Sequence, residues 1–441
     1  MAEMTMDGSH NARDHDGTDT GDAPQTLCRE PPVSRCLWSS NHERKKKLIL
    51  HIDLNNTILI SDTVTTQGTV AALEYFLTTV TWGRMSREDL DQGITELLDT
   101  LRINLAARMD LNITSQSHMR SAIVVDQEEP RSHCSTVGSD NGSKDFILMA
   151  NSSQGVIIKP VEPPCDGAVS YYSQFGRVMG FTSAAGRCFR RILDQHLDLL
   201  LWPNACGCVT PQGDRELAVK GEDGRLYHWI LPSFFQLLKD LVQEGREFAV
   251  VFRTFGGDLP RVLRAVFRAL NEGAHPLFPE LSDLSLKVNM ALGKIRCNKR
   301  GIVLTRDEDR VSTRNGERGL YQYLSSVQGL GGFQDHFEWW ASNTFSIRGG
   351  KPFWVDPFDQ SVQHIFIDDN IRQNDEDTIV HPKVFLDPDG TETRMACTSE
   401  LYDITLVQTD LLQAISDLSY FTQRVHICLE NYERNLQQGE V

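Results

Sequence analysis

Three mostly apolar runs in the chain each end in a polar or acidic cluster. They span residues 48–52, 248–252 and 364–367, and none shows the clean alternation of apolar and polar residues that marks a half-exposed strand. Runs of this kind predict strands buried on both faces of a sheet, which is typical of parallel sheets. Shorter runs at 301–305 and 384–386 predict further strands.

Segments with helical periodicity lie between these runs. Pro232 stands at the start of one of them, where a missing N–H costs nothing, and Gly245 follows its end. Strands that alternate with helices predict an α/β fold with a doubly wound, mostly parallel sheet. A Gly-rich polar segment at 207–225 predicts a short hairpin. The predicted helices are 68–82, 86–109, 180–202, 232–242, 259–271, 319–328 and 408–435.

Two segments lack apolar periodicity altogether. Residues 1–43 are rich in Asp, Gly, Thr, His and Pro, and residues 110–165 are rich in Ser, Asn, Gln and Asp. Such compositions cannot bury enough apolar surface to offset the entropy lost on ordering. We therefore predict that the first segment is a disordered tail and that the second is partly disordered.

The composition argues against several classes of function. The chain has 441 residues, 40% of them hydrophobic, and its net charge of −16 disfavours binding to the phosphate backbone of nucleic acids. No apolar stretch approaches the length of a membrane span, and residues 1–40 contain no signal-peptide core. Among the ten cysteines only Cys206 and Cys208 are close-set, and no second pair completes a zinc site. We expect a cytoplasmic or nuclear protein without nucleic-acid or membrane partners; protein partners stay open.

Chemically useful side chains follow the three buried runs. Asp53 ends the first, Thr254 ends the second, and Asp368 and Asp369 end the third, with Lys351 in the loop before it. In an open parallel sheet, ligands bind beyond the carboxyl ends of the strands. Carboxylates that converge there repel each other unless a cation neutralises them, and Mg²⁺ suits oxygen ligands and phosphate. A hydroxyl and an ammonium could hold the remaining phosphate oxygens.

These residues form four motifs in a familiar order. They are the strand ending in Asp53-Leu54-Asn55-Asn56-Thr57, the strand from Phe248 to Thr254, Lys351-Pro352, and Ile365-Phe366-Ile367-Asp368-Asp369. In this pattern the chain resembles the haloacid dehalogenase (HAD) superfamily over residues 46–60, 228–275 and 345–390. The first motif, combined with Phe252-Arg253-Thr254-Phe255-Gly256, is similar to a eukaryotic branch of the superfamily rather than to a phosphatase with a named substrate.

The resemblance implies a domain plan. Residues 44–441 would form one HAD-like (Rossmannoid) domain with inserted helical cap segments. Its core would comprise 44–62, 226–275 and 345–441. The cap or insertion would be 63–225, and a second insertion would be 276–344.

The resemblance also implies roles for the site residues. Asp53 would be the nucleophile that forms an aspartyl-phosphate. Asp53, the backbone carbonyl of Asn55 and Asp368 would bind Mg²⁺, with Asp369 binding directly or through water. Thr254 and Lys351 would hold the transferred phosphoryl group of a small phosphorylated substrate.

One position departs from the superfamily pattern. Where the superfamily has a second Asp that protonates the leaving oxygen and then activates water, this chain has Asn55. A carboxamide does not titrate near neutral pH, and removing a general acid–base usually costs about 10²–10⁴-fold in rate. The predicted function is a phosphohydrolase or phosphotransferase with weakened acid–base chemistry. The alternatives are a catalytically silent HAD-like module that binds a ligand or protein, and, with less support, a flavodoxin-like binding domain.

Several residues keep a structural interpretation beside the functional one. Thr254 could cap a turn, and His51 is expected to be a core histidine with satisfied hydrogen bonds. Trp339 and Trp340 could be core, cap wall or substrate pocket. Three further lysines lie between the second and fourth motifs: Lys287, Lys294 and Lys299.

Overall fold

An eight-stranded sheet lies at the centre of the described part of the chain. The structure is a computed structural model that describes residues 45–60, 68–86, 145–148, 169–175, 180–183, 186–203, 214–373 and 378–438. The strands are β1 (Lys47–Ile52), β2 (Trp82–Ser86), β3 (Asp145–Leu148), β4 (Val169–Ser170), β5 (Ala218–Lys220), β6 (Leu226–His228), β7 (Phe248–Thr254), β8 (Val288–Asn298), β9 (Gly301–Arg306), β10 (Asp309–Ser312), β11 (Gly329–Gln334), β12 (Lys351–Val355), β13 (Val362–Asp368), β14 (Val380–Phe385), β15 (Thr393–Met395) and β16 (Leu406–Gln408).

Helices connect and cover these strands. The α-helices are α1 (Thr69–Val80), α2 (Tyr171–Phe175), α3 (Arg190–Leu199), α4 (Pro232–Gln243), α5 (Leu259–Glu272), α6 (Arg318–Ser326), α7 (Phe337–Ser342), α8 (Thr398–Leu401), α9 (Leu411–Ser416) and α10 (Tyr420–Gln438). Short 3₁₀ helices span Arg187–Phe189, Pro279–Leu284, Thr313–Asn315 and Ile347–Gly349. None of the helices in the described ranges combines the length and the apolar composition needed to cross a membrane.

The main sheet is mostly parallel. Its strand order is β10-β9-β8-β11-β7-β1-β13-β16, and the strands from β8 to β16 in this order pair in parallel. The edge strands β9 and β10 continue from β8 as an antiparallel meander. A separate sheet of three strands, β12-β14-β15, lies beside it. The predicted α/β class is confirmed, and the architecture is compatible with a Rossmann-like fold.

Both faces of the sheet are covered, as the continuous apolar runs predict. Leu48, Leu50 and Ile52 pack in a core with apolar residues of α4, α5 and α10. Ile49, between them on the opposite face, packs with residues of α6 and with Trp354 of the smaller sheet. Alternate side chains of β1 thus enter different cores, which is why Leu48, Ile49 and Leu50 are all apolar although they point to opposite faces.

Several predicted boundaries are wrong. Residues 276–344, expected to be an insertion, supply β8 to β11 of the main sheet. The strand expected at 384–386 is part of β14, but it belongs to the smaller sheet. The helix expected at 180–202 spans only Arg190–Leu199, after a 3₁₀ turn at Arg187–Phe189. The predicted hairpin is β5 and β6, later than 207–225 suggests.

The long C-terminal helix predicted at 408–435 is three elements: β16, α9 and α10. Aspartates at the breaks account for the difference. The Asp410 carboxylate accepts a hydrogen bond from the backbone N–H of Gln413 and caps α9, and Asp417 accepts one from the N–H of Ser419 at 2.8 Å. Both are side-chain substitutes for helical hydrogen bonds, which favour caps and turns over a continuous helix.

Some predictions concern residues outside the described ranges. These are the tail at 1–43, the helix at 86–109 beyond Ser86, residues 110–165 except β3, and the pair Cys206 and Cys208.

Two buried histidines pack in an aromatic cluster between α4 and β6. The rings of His228 and His275 lie 5.2 Å apart and nearly parallel, with Trp202, Phe235 and Phe278 around them. Both ring nitrogens of His228 are buried without a partner among the described residues. Burial lowers the pKa of His228 to about 4, and burial together with His228 lowers the pKa of His275 to about 3.

These shifts predict a loss of stability in acid. Because the pKa values lie below the unfolded-state value of about 6.5, the unfolded chain takes up protons first as the pH falls. Stability is therefore retained above pH 6.5 and lost between there and pH 4. His228→Phe should keep the packing and reduce this loss by on the order of 2 kcal/mol, as measured by denaturant unfolding at pH 7 and pH 4.5.

The matched control is Phe278→Leu, which trims the same cluster without removing a titratable group. It should lower stability by a similar amount at both pH values. An unchanged acid sensitivity in His228→Phe would contradict the prediction.

Candidate functional site

The register of three central strands brings their carboxyl ends level. Ile52 pairs with Phe252 of β7 on one side and with Ile367 of β13 on the other. The next residue of each strand is Asp53, Arg253 and Asp368. The backbone N–H of Asp53 continues the ladder by donating to the carbonyl of Ile367 at 3.0 Å. The predicted site residues therefore meet at one edge because the strands are parallel and in register.

Lys351 reaches this edge from the smaller sheet. Its ammonium, 0% exposed, donates to Asp53 Oδ1 at 2.5 Å and to Asp368 Oδ2 at 2.8 Å. It also donates to the carbonyl of Arg253 at 3.2 Å. Lys351 is thus the predicted lysine that contacts Asp53, while Lys287, Lys294 and Lys299 are exposed.

Gly350 allows Lys351 to take this position. A Cβ on Gly350 would lie 2.5 Å from the backbone oxygen of Ile379. The N–H of Lys351 donates to that same oxygen at 2.7 Å. This close contact is where the pairing of β12 with β14 begins, and the pairing fixes the position of the Lys351 backbone.

The first loop places the third carboxylate. Asn56 has a φ of 57°, and the N–H groups of Ile58 and Leu59 both donate to the carbonyl of Leu54. The turn buries Thr57, whose hydroxyl accepts a hydrogen bond from the N–H of Asp369 at 3.1 Å. Asn is among the few residues that adopt this left-handed conformation readily. Thr57 therefore positions Asp369, a role that its place in the first motif does not reveal.

Two buried carboxylates, Asp53 and Asp368, and the half-buried carboxylate of Asp369 lie near one ammonium. One oxygen from each of Asp53, Asp368 and Asp369 can be chosen so that all lie within 4.8 Å of one another. Burial raises the pKa of Asp53 to about 7, with Lys351 opposing and Asp368 adding to the rise. Burial and the charges of Asp368 and Asp53 also raise the pKa of Asp369. Burial alone would lower the pKa of Lys351, but Asp368 and Asp53 outweigh it and raise that pKa.

Burial is thus the main cause of the raised pKa of Asp53, while Asp368 and Asp53 raise the pKa of Lys351 against its burial. Three carboxylates beside one ammonium leave negative charge in excess. A cation can relieve this excess, and the carboxylates fit one. Lys351 bonds one oxygen of Asp53 and one of Asp368, and the second oxygen of Asp368 accepts a hydrogen bond from the N–H of Asn370 at 2.9 Å. Because each carboxylate oxygen has two lone pairs, both groups keep acceptor sites for a cation. Asp53, Asp368 and Asp369 could therefore hold a metal ion through hard oxygen donors.

Thr254 lies at the end of β7, beside these groups. Its hydroxyl accepts a hydrogen bond from the N–H of Gly256 at 2.9 Å, so the turn-capping interpretation is confirmed. Accepting that bond leaves the hydroxyl hydrogen able to donate to a ligand. The structural role and the predicted phosphate contact are compatible.

A series of buried polar side chains, linked by hydrogen bonds, lies behind the site. The Arg253 guanidinium forms two hydrogen bonds with the carboxylate of Asp335, at 2.9 and 2.7 Å, and one with the carbonyl of Pro352 at 3.0 Å. Its remaining nitrogen lies 3.3 Å from Nδ1 of His51. Arg253 thus ties β7 to β11 and to the residue after Lys351, which fixes the lysine relative to Asp53.

The hydrogen-bonded series continues from Arg253 through two histidines, and every group in it donates in the same direction. His51 Nε2 lies 3.0 Å from His364 Nδ1, and His364 Nε2 lies 2.9 Å from the hydroxyl of Ser325, which donates to the carbonyl of Tyr321. Arginine only donates and a carbonyl only accepts, so both imidazoles must be neutral and protonated on Nε2. Burial lowers the pKa of both, in agreement with this assignment. His51 is the satisfied core histidine that the sequence predicts.

The structure brings together Asp53, Asp368, Asp369 and Lys351, and it places Thr254 at the end of the neighbouring strand β7. Asn55 lies in the adjoining turn, where its backbone forms a bridge with Leu59. Sequence reasoning missed Thr57 and Asp335. No family model, no curated protein and no solved structure matches the chain. What the site can do follows from its own geometry and charge.

The ion pairs of Lys351 predict a large effect on stability. Lys351→Met keeps the aliphatic stem but leaves two buried carboxylates without their shared ammonium. Removing one partner of a buried ion pair costs about 3–5 kcal/mol. We expect a loss of this size in the free energy of unfolding, measured in denaturant without divalent cations.

Lys239→Met is the matched control. Lys239 pairs with Glu280 at 2.6 Å, but the two side chains are 26% and 39% exposed, so the loss should stay below about 1 kcal/mol. Equal losses in the two variants would show that the buried ion pairs contribute no more than a surface pair.

Proposed function

We propose that this protein is a Mg²⁺-dependent phosphohydrolase or phosphotransferase of the HAD type that works through an aspartyl-phosphate on Asp53. The observation that carries the proposal is the convergence of Asp53, Asp368, Asp369 and Lys351 on one edge of a parallel sheet. The order of the strands outward from β1, with β13 and β16 on one side and β7 and β11 on the other, supports it. The resemblance of the four motifs provides the chemical interpretation.

Each residue has a role consistent with its contacts. Lys351 bonds Oδ1 of Asp53, and that oxygen would also bind the cation, while the second oxygen of the carboxylate would attack a phosphorus atom. Attack by that oxygen forms the Asp53–phosphorus bond while the bond to the leaving oxygen breaks. A phosphoryl oxygen would replace one of the three acceptors that Lys351 now bonds, which are Asp53, Asp368 and the carbonyl of Arg253. The Thr254 hydroxyl would donate to a second phosphoryl oxygen as charge develops there. Water then attacks the phosphorus and releases phosphate and the Asp53 carboxylate.

A divalent cation bound to Asp53, Asp368 and Asp369 would supply the positive charge that phosphate oxygens need. Without it a phosphate dianion would approach a site with more carboxylates than ammonium groups. Mg²⁺ is the proposed ion because it prefers oxygen ligands and bridges to phosphate. The carbonyl of Asn55 is the proposed backbone ligand.

Calorimetry tests the cation site directly. Wild-type protein should release or absorb heat on titration with Mg²⁺, and Asp368→Ala and Asp369→Asn should reduce the affinity at least tenfold. Asp387→Asn, in a loop where the Asp387 carboxylate bonds to residues 390 to 392 of its own turn, should behave like the wild type. Equal heats in all four proteins would count against this site.

The identity of residue 55 predicts which substrates react. An alkyl phosphate expels a strongly basic alkoxide that needs a proton, which Asn55 cannot supply. Acetyl phosphate and 4-nitrophenyl phosphate expel stable anions, so the wild type should consume them far faster than glucose 6-phosphate. Asn55→Asp should raise turnover of the alkyl ester by about 10²–10⁴-fold.

Asn56→Asp is the matched control, since it adds the same charge to the same turn without placing an acid at position 55. It should not raise alkyl-ester turnover. If Asn55→Asp shows no Mg²⁺-dependent activity on any of the three phosphates, the alternative is favoured: a catalytically silent module that binds a ligand or a protein. Asn55 is the observation that keeps this alternative in view.

A further inference from the structure

Four aromatic side chains form a wall beside the candidate site. Phe255 and Trp340 stack with ring centroids 5.1 Å apart and planes 13° apart. Phe337 contacts Phe255 at 5.8 Å, and Phe345 contacts Trp340 edge-on at 5.1 Å. We call Phe255, Phe337, Trp340 and Phe345 the aromatic wall.

The aromatic wall is continuous with the site. Phe255 directly follows Thr254, and its ring centroid lies 5.2 Å from the ammonium of Lys351. The other three rings lie on the segment 337–345, which leads to Lys351 through a single 3₁₀ turn. A ligand bound at Lys351 and Thr254 would therefore have the wall next to it.

Part of the wall is open. Phe337 is 38% exposed and Phe345 is 48% exposed, so a substantial part of each ring is not buried in the core. Phe345 and Thr344 before it both have positive φ, 58° and 56°. A left-handed conformation is strained for a bulky residue, and strain of this kind clusters at ligand sites. Here it projects an apolar ring outward rather than into the core.

The chemistry of residue 55 favours an aromatic leaving group, and this argument is independent of the aromatic wall. Because Asn55 cannot protonate a leaving oxygen, a productive substrate must expel a weakly basic one. A phenol has a pKa of about 10, and substituted or fused rings lower it further, so an aryl oxide leaves with less help than an alkoxide. A flat aromatic leaving group also matches a wall that stacks rings offset or edge-on.

We propose that the aromatic wall binds the leaving group of an aryl phosphate monoester, so that aryl phosphates are the substrate class of this site. This inference rests on the proposed function. Asp53 attacks the phosphorus, the bond between phosphorus and the aryl oxygen breaks, and the aryl oxide departs with the electron pair and is protonated by water. The ring stays against Phe337 and Phe345 until it is released.

The test compares substrates that differ in the leaving group. Steady-state kinetics with Mg²⁺ would be measured for 2-naphthyl phosphate, phenyl phosphate and acetyl phosphate, the last of which has no ring. We expect kcat/KM to be higher for the naphthyl than for the phenyl ester. In Phe345→Ala and Phe337→Ala the ratio of kcat/KM for naphthyl phosphate to that for acetyl phosphate should fall roughly tenfold, mainly through KM.

Two further variants separate binding from structural damage. Phe345→Trp retains an aromatic surface and should restore the ratio. Phe267→Ala removes a ring that is also 38% exposed but lies on α5, outside the wall, and should leave the ratio at its wild-type value.

The outcomes distinguish the two proposals. If acetyl phosphate is consumed but the ratio is unchanged in Phe337→Ala and Phe345→Ala, the aromatic wall does not bind the leaving group and this inference fails while the proposed function stands. If neither the wild type nor Asn55→Asp consumes any of the three phosphates, the proposed function fails and the inference falls with it.

Discussion

The site depends on one constraint: two buried carboxylates and a half-buried one lie close together beside a single ammonium. Asp53, Asp368 and Asp369 lie at strand ends that are level because the central strands are parallel, and Lys351 bonds two of them from another sheet. Buried charges of one sign are stable only when paired or hydrogen-bonded. Lys351 meets this requirement for Asp53 and Asp368. The turn at Thr57 holds the backbone of Asp369, and Arg253 connects β7 to Asp335 and to Pro352, the residue after the lysine.

Much of the central fold and site could be predicted because the decisive signals are local. The runs at 48–52, 248–252 and 364–367 are buried strands, as their continuous apolar character indicates. Once those strands are assumed parallel, the residues that follow them must meet. Lys351 was harder to select among the lysines, since its position depends on the pairing of β12 with β14, which no local pattern encodes.

The elements that escaped prediction lack a local signal for physical reasons. The central strand β11 reads Gly-Leu-Gly-Gly-Phe-Gln, which is poor in β-forming residues. Two of its glycines lie where a side chain would not fit: a Cβ on Gly329 would be 2.2 Å from the carbonyl oxygen of Lys287, and one on Gly332 would be 2.4 Å from the Leu259 side chain of α5. The glycines that let a helix pack against β11 also remove the sequence signal for a strand. Asp335, the partner of Arg253, directly follows this strand and could not be predicted for the same reason. In the same way β16 has three residues, too few to show a period.

The origin of Lys351 in the smaller sheet has a mechanical consequence. Lys351 is the first residue of β12, whereas Asp53 directly follows β1 and Asp368 ends β13. The two ion pairs therefore connect two sheets that share no backbone hydrogen-bond ladder. If β12, β14 and β15 moved together relative to the main sheet, the Lys351 ammonium would move away from both carboxylates. The arrangement of Asp53 and Asp368 should therefore respond to a partner that binds the smaller sheet and displaces it, although that sheet contains neither of the two residues.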